Sequence, residues 1–183
     1  IIFEGIIKYI NTIIPKNEII GEALRKEVSM YPELAIREAV ANSLVHQDFN
    51  ISGTGPMVEI YTDRIEITNP GKPLVKIDRF IDNPPKSRNE QLASFLRRIG
   101  VCEERGSGFD KIVYSTEIYQ LPAPKIEVYD EDTKVTLYAH MAYEDMSKED
   151  KIRACYMHAC LKYVSNEHLT NASLRKRFGI TQN

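Results

Sequence analysis

Hydrophobic positions repeat at helical spacing in four stretches of the first two thirds of the chain. The stretch at 3–14 stops before a proline, and the stretch at 33–46 follows Pro32, a residue favoured in the first turn of a helix. The stretches at 90–99 and 109–119 each have glycine at one boundary. This pattern predicts four helices.

Apolar and polar residues alternate in two pairs of short segments, as they do in half-buried strands. Residues 57–61 and 64–68 flank a two-residue turn, and residues 125–129 and 134–138 flank a turn of acidic residues. Residues 16–31 are mixed and predict either a short strand or an irregular packing arm. The order helix, helix, hairpin, helix, helix, hairpin predicts an α+β fold, a two-layer α/β sandwich with helices on one face of the sheet.

After residue 146 the pattern becomes entirely helical, which predicts a boundary between domains at 1–145 and 146–183. A helix at 149–164 is followed by a short helix at 171–178 and a turn containing glycine, as at the start of a helix-turn-helix. A helical hairpin packed on the first domain is the alternative. The residues that we assign to the core face of the longer helix are Ile152, Cys155, Tyr156, Ala159, Cys160 and Tyr163.

Charge is divided unevenly along the chain. Residues 148–183 carry seven lysines and arginines against three acidic residues, so a local charge of +4 leaves −6 for the rest of a chain whose net charge is −2. Such an asymmetry is typical when only the end of a chain meets nucleic acid. We expect Arg175, Lys176 and Arg177 to contact phosphates and not bases, because the recognition helix would start where the chain stops.

Other bulk features exclude several classes of protein. Three widely spaced cysteines indicate reduced thiols in a cytoplasmic protein, without zinc-ligand spacing. No apolar run approaches the roughly 20 residues of a membrane helix, so we expect no membrane association. Because the sequence does not start with methionine, we also expect a fragment of a longer protein.

The predicted helix at 33–46 carries the most chemical information. Glu38, Asn42 and His46 are spaced four apart and therefore share one flank of an otherwise apolar helix. One interpretation is an ordinary solvated flank. The other is a functional pair, in which the carboxylate orients water and the amide oxygen holds Mg²⁺, a cation that prefers oxygen ligands. His46 is either a partner of Asn42 or a packing histidine.

Three further segments contain candidate ligand-binding residues. The glycines of Gly106-Ser107-Gly108 precede a predicted helix, where free N–H groups suit an anion, although such a tripeptide is also an ordinary turn. The long loop at 72–88 is rich in proline and lysine and predicts a lid. Arg88 at its end could reach a phosphate from there, or simply be a surface charge.

The stretch from Glu38 to Leu44 resembles the Glu-x-x-x-Asn helix of the GHKL ATPases, the superfamily of gyrase, the heat-shock chaperone, histidine kinases and MutL. The resemblance implies that Glu38 activates water, that Asn42 coordinates Mg²⁺ and that Gly106-Ser107-Gly108 surrounds the phosphates. The family's adenine-binding Asp-x-Gly corresponds to Asn69-Pro70-Gly71. This chain departs from the family there, because Asn69 can accept the bond from the adenine amine but brings no charge.

Three motifs in order also resemble a closer group, the bacterial and archaeal proteins often called RecG-related ATP-dependent DNA helicases or transcriptional regulators. These are the helix running into His46-Gln47-Asp48-Phe49, the strand before Asn69-Pro70-Gly71, and Glu104-Arg105-Gly106-Ser107-Gly108. In that group the ATPase-like domain precedes a C-terminal winged helix, so residues 146–183 would be an incomplete all-α part of one. Gln47 and Phe49 replace the usual Arg and Tyr. No Gly-x-x-x-x-Gly-Lys-Ser/Thr phosphate loop is present, so we do not expect helicase activity.

Taken together, these features predict a transcriptional regulator in which an ATP- and Mg²⁺-binding domain is coupled to DNA through a complete winged helix. Weak ATPase activity stays open, as does pairing of two copies of the chain. The alternative is a degenerate ATPase fold that serves as a dimerisation or interaction scaffold without binding nucleotide, which the replacements at Asn69 and Gln47 favour.

Overall fold

A computed structural model of the chain describes residues 2–20, 25–81, 86–102 and 108–180. The strands follow one another in pairs between the helices, and a short 3₁₀ helix, Ile77–Arg79, lies in the long loop. The elements are α1 Ile2–Ile13, β1 Lys16–Ile20, β2 Arg25–Ser29, α2 Glu33–His46, β3 Met57–Ile60, β4 Arg64–Pro70, α3 Glu90–Arg98, α4 Gly108–Ile118, β5 Lys125–Tyr129, β6 Asp132–Tyr138, α5 Lys148–Val164 and α6 Asn171–Phe178.

The central sheet is antiparallel, with its strands in the order β3-β4-β6-β5. Both predicted hairpins are present, because alternating apolar positions and the turns between them fix the register locally. Strand β4 continues two residues further than the sequence predicts. Its last residues, Asn69 and Pro70, still pair with Thr133 and Asp132 of β6. This extension keeps Asn69 in the sheet.

The core lies between this sheet and the helices that cover it. Helix α2 packs on β4 and on α4. Burial of Ile36, Ile65, Ile67, Ile112 and Leu137 ties these elements into one hydrophobic cluster. The predicted mixed α and β fold with helices over an antiparallel sheet is therefore confirmed.

Helix α1 is attached to α2 by packing and by one arginine. Phe3 is buried in the shared hydrophobic cluster. Arg37 donates to Glu4 at 2.8 Å and to the Gly100 carbonyl at 2.9 Å, while its guanidinium lies over the Phe3 ring. The arginine next to Glu38 thus links α1, α2 and the end of α3.

Two predictions about local structure need correction. Within residues 16–31, where the sequence predicts one short strand or an irregular arm, the described residues form two paired antiparallel strands, β1 and β2. The predicted core face of α5 is also wrong, because Ile152 is 58% exposed and Tyr163 is 75% exposed. Ala154, Met157 and His158 are buried instead.

The reason for the second error lies in the partner of α5. The helix packs on Val113 of α4 and on Ala123 through its Ala154–Met157 face. Tyrosine tolerates water at its hydroxyl end, so two tyrosines at helical spacing do not identify a core. Because α5 packs on α4, the structure does not separate residues 146–183 from the sheet domain, and the domain boundary at 145 stays a prediction. No helix in the described parts of the chain is long and apolar enough to cross a membrane.

Candidate functional site

A cleft opens between α2, α4, the sheet and the 72–81 part of the long loop. Its empty volume is about 990 Å³, including the open mouth. Apolar side chains line most of it and a few polar groups converge on it. The lining residues are Ala39, Asn42, Ser43, His46, Ile67, Asn69, Pro73, Leu74, Val75, Phe80, Lys86, Gly108, Phe109, Ile112, Thr133 and Val135.

Helix α2 presents two of its three predicted site residues to the cleft. Asn42 and His46 line it, and within the described part of the chain neither side chain makes a hydrogen bond. Burial, followed by the charge of Arg88, lowers the pKa of His46, so the ring is neutral at pH 7. A half-buried amide and a neutral imidazole therefore face the cleft with free hydrogen-bonding groups.

Glu38 lies deeper than the cleft surface and is only 4% exposed. Glu38 is therefore not part of a solvated flank, which is one of the two interpretations of this helix. Burial raises the pKa of its carboxyl, and the nearby charges of Lys111 and Arg37 lower it in part. The balance favours the protonated form more than for a carboxyl in water.

The first residue of α4 covers Glu38 and Asn42. A Cβ built on Gly108 would lie 3.0 Å from Glu38 Oε2 and 3.3 Å from Asn42 Nδ2 and Oδ1. Such distances are tighter than ordinary contacts, so the absence of a side chain at Gly108 allows the backbone of α4 to approach α2. The sequence predicts a role for Gly108, and the structure places it in the cleft lining. Gly106 and Ser107 lie outside the described residues.

Asn69 lines the cleft from strand β4 of the sheet and is 6% exposed. Its Nδ2 donates to the Pro70 carbonyl at 3.1 Å. Because that bond engages the amide donor, Oδ1 is the atom left to accept a hydrogen bond. Thr133, which sequence reasoning missed, lines the cleft beside it and donates to the Gly71 carbonyl at 2.6 Å.

Gly71 has a structural role in place of the predicted ligand contact. It does not line the cleft, and its φ of +110° is accessible to glycine at little cost. A Cβ there would lie 3.1 Å from Asp48, and its N–H donates to the Glu131 carbonyl at 2.6 Å. Gly71 therefore lets the chain leave β4 next to the end of α2.

Arg88 is also engaged within the protein, so the predicted contact with a phosphate is not supported. It pairs with Asp48 at 3.0 Å and donates to the Lys72 carbonyl at 2.8 Å. The next residue, Asn89, donates to the Val45 and Gln47 carbonyls at the end of α2. Both residues anchor the long loop where it returns to the domain.

Lys86 is the cationic residue of the cleft lining, and sequence reasoning missed it. The Pro- and Lys-rich composition of the loop was the available signal. That composition could not distinguish Lys86 from its neighbours, because the spacing of residues in a loop does not determine which way each side chain points. In the described residues there is no cluster of three or more His, Cys, Asp or Glu side chains that could hold a metal.

The C-terminal helices change one prediction about DNA contacts. Arg177 is 4% exposed, donates to the Leu121 carbonyl at 2.8 Å and lies 3.3 Å from Glu117 Oε1. Glu117 also bonds His158 Nδ1 at 2.9 Å. Arg177 is thus an interior residue and does not reach a phosphate, because it holds α6 against α4. Lys176 is exposed and Arg175 is half-buried.

Comparisons with known proteins match part of this chain to a family and its fold to solved structures. Residues 53–137 match the family described as "Putative ATP-dependent DNA helicase recG C-terminal". This match includes Asn69, Lys86 and Gly108 and leaves out α2. The crystal structure of the DIP2311 protein from Corynebacterium diphtheriae shares the fold, with a TM-score of 0.70 and 21% identity over 98% of this chain.

The alignment spans 39% of the DIP2311 chain. A search among curated proteins found no match to the sequence. The family match and the sheet-and-helix fold agree, and both include the strands and the α4 terminus that form the cleft. The chain therefore contains an ATPase-like domain of the RecG C-terminal-like kind.

Proposed function

We propose that the cleft binds ATP with Mg²⁺, and that this chain is the nucleotide-binding part of a transcriptional regulator. The domain has the GHKL arrangement, and the C-terminal helices begin a winged helix that reaches DNA when complete. The single observation that carries the proposal is the side-chain amide of Asn42, which no described residue engages and which lies in the cleft directly beside the backbone of Gly108. A polar group of this kind is suited to a ligand.

The residues present fit a magnesium nucleotide. Asn42 Oδ1 would hold the metal, and a single protein oxygen suffices because Mg²⁺ keeps several waters and takes phosphate oxygens as further ligands. When bound, the metal neutralises charge on the phosphates. The backbone of Gly108 approaches without a side chain, as a helix N-terminus that meets an anion requires.

The part of the cleft lined by the sheet suits the base. Asn69 Oδ1 would accept a hydrogen bond from an exocyclic amine, and Ile67, Ile112 and Val135 provide apolar contact. Hydrolysis is a secondary part of the proposal. Glu38 has the raised pKa of a general base but lies beneath Gly108, so water must reach it from the Asn42 side.

Calorimetric titration of the 183-residue chain with ATP and Mg²⁺ tests the proposal. Wild-type protein should show saturable binding, and Asn42→Ala should weaken it by about tenfold or more, as expected for a lost bond to a charged ligand. The control is Asn50→Ala, which removes an exposed amide outside the cleft lining. Absence of binding at millimolar ATP would contradict the proposal.

A degenerate scaffold is the second candidate, and the burial of Glu38 beneath Gly108 favours it. In a scaffold, the carboxyl and Asn42 hold α4 in place without a ligand. Sedimentation velocity at increasing concentration separates the two candidates. Self-association together with no ATP binding supports the scaffold, whereas a monomer that binds ATP excludes it.

DNA contact by the C-terminal helices forms the last part of the proposal. The Thr170 capping box begins α6, and Gly179, with a φ of +65°, ends it. Lys176 on the exposed side of α6 is the residue that we expect to approach a phosphate. Removing it in Lys176→Met should therefore reduce the dependence of DNA affinity on salt.

A further inference from the structure

The cations of the loop that borders the cleft have different partners. Lys72 pairs with Glu131 at 2.7 Å, and Arg88 pairs with Asp48 at 3.0 Å. Lys76 is exposed and does not line the cleft, and neither does Arg79. Lys86 lines the cleft, is exposed, and makes no ion pair with any described residue.

The chain just beyond Lys86 is held in place. Arg88 is tied to Asp48 and to the Lys72 carbonyl, and Asn89 donates to two carbonyls at the C-terminal end of α2. These bonds hold the chain at the second and third residues after Lys86. An exposed lysine side chain can usually point into water at little cost in free energy. Lys86, however, lines the cleft, and the chain just after it is held in place.

Charge in the cleft lining favours an anion at this position. Within the described lining there is no acidic side chain, and His46 is neutral at pH 7. Among the described lining residues, Lys86 is then the side chain that carries a full charge. A lysine ammonium is a compact charge with three donors, and it binds phosphate oxygens well.

We propose that Lys86 binds the phosphate chain of the ligand and makes the cleft select nucleotides over nucleosides. This inference rests on the proposed nucleotide-binding function. It adds the residue that determines preference for the phosphorylated ligand. The Asn69 contact is with the base, which ATP and adenosine share, so it would not distinguish the two ligands.

Titrations of wild type and three variants with ATP and with adenosine test the inference. Lys86→Met should weaken ATP binding by about tenfold or more and leave adenosine binding within twofold, because only ATP loses a charged contact. Lys86→Arg should retain most of the ATP affinity. Lys76→Met, on the same loop and outside the cleft, is the matched control and should bind both ligands as wild type does.

Different failures separate this inference from the function on which it rests. If wild type binds ATP and Lys86→Met binds it within twofold, or loses ATP and adenosine binding equally, the role of Lys86 is wrong and the cleft remains a nucleotide site. If wild type binds neither ligand at millimolar concentration, both proposals are overturned. Circular dichroism melts of each variant check that the exposed position leaves the fold unchanged.

Discussion

The cleft and the junction of α4 with the C-terminal helices use polar residues in opposite ways. At the cleft, Asn42, His46 and Lys86 face a space open to solvent and make no hydrogen bonds or ion pairs with described residues. At the junction, Glu117 and Arg177 turn toward each other in the interior. Both regions lie on α4, one at its first residue and the other near its last.

This difference separates groups held for a ligand from groups that stabilise the fold. Polar side chains at the cleft can be solvated when no ligand is present, so leaving them unpaired costs little. Those at the junction have left water, and mutual contact has to compensate for desolvation. His158 Nε2 and two nitrogens of Arg177 even lack hydrogen-bond partners. Removing a residue should therefore change ligand binding at the cleft and stability at the junction.

Replacing Arg177 should produce the largest effect. Arg177→Met leaves the Glu117 carboxylate buried without its cation, and we expect a loss of about 3–5 kcal/mol in the free energy of unfolding. Urea unfolding followed by circular dichroism measures it. Lys176→Met, an exposed neighbour on α6, should change stability by less than about 0.5 kcal/mol. Equal effects of the two variants would contradict the account of the junction.

Asp110 is a polar residue of α4 that lies outside the cleft lining, so it should affect stability and not ligand binding. Its Oδ1 is buried without a hydrogen-bond partner, and burial raises the pKa of Asp110 from 3.8 to about 6. A carboxyl whose pKa is higher in the folded state binds more protons there. Its contribution to stability is complete below the unfolded pKa and is lost as pH rises through about 6.

Asp110→Asn should remove that dependence on pH and stabilise the protein at pH 7 by up to about 3 kcal/mol. Urea unfolding between pH 4 and pH 8 shows whether the two curves separate in this window. Asp145→Asn, at an exposed position, provides the control. A variant whose stability runs parallel to wild type across the range would show that the Asp110 carboxyl is not desolvated.

Gly108 tests the close contact at the cleft end of α4. Gly108→Ala places a Cβ 3.0 Å from Glu38 Oε2, and the buried carboxylate has to shift. We expect a loss of about 1–3 kcal/mol in stability, the range for overpacking, and weaker ATP binding. Gly55→Ala, where a Cβ meets nothing within 4 Å, should leave both unchanged. Unaltered ATP affinity in Gly108→Ala would argue against a ligand beside Glu38 and Asn42.

Much of the fold follows from local patterns in the sequence. Helix α2 and the two hairpins of the sheet were predicted because apolar spacing and turn residues act over a few positions. The sequence did not predict which face of α5 is exposed. Ile152 and Tyr163 have the spacing of a buried helix face, but tertiary contacts bury Ala154 and Met157 instead. Spacing along one helix does not determine which face meets a partner.

The site was predicted only in part for a related reason. Four-residue spacing places Glu38, Asn42 and His46 on one flank, but burial of Glu38 depends on the approach of Gly108 from α4. Arg88 and Lys86 are neighbours in one loop, and only the fold decides that the first pairs with Asp48 while the second lines the cleft. Contacts between distant elements therefore carry the information that the sequence pattern lacks.

Nitrogen–proton correlation NMR of the labelled chain, titrated with ATP and Mg²⁺, shows directly whether nucleotide binds in the cleft. We expect saturable shifts at the side-chain amides of Asn42 and Asn69 and at the backbone of Gly108, with small changes at Glu117 and Arg177. Shifts centred on the junction and absent from the cleft, or no shifts at millimolar ATP, would contradict nucleotide binding in the cleft.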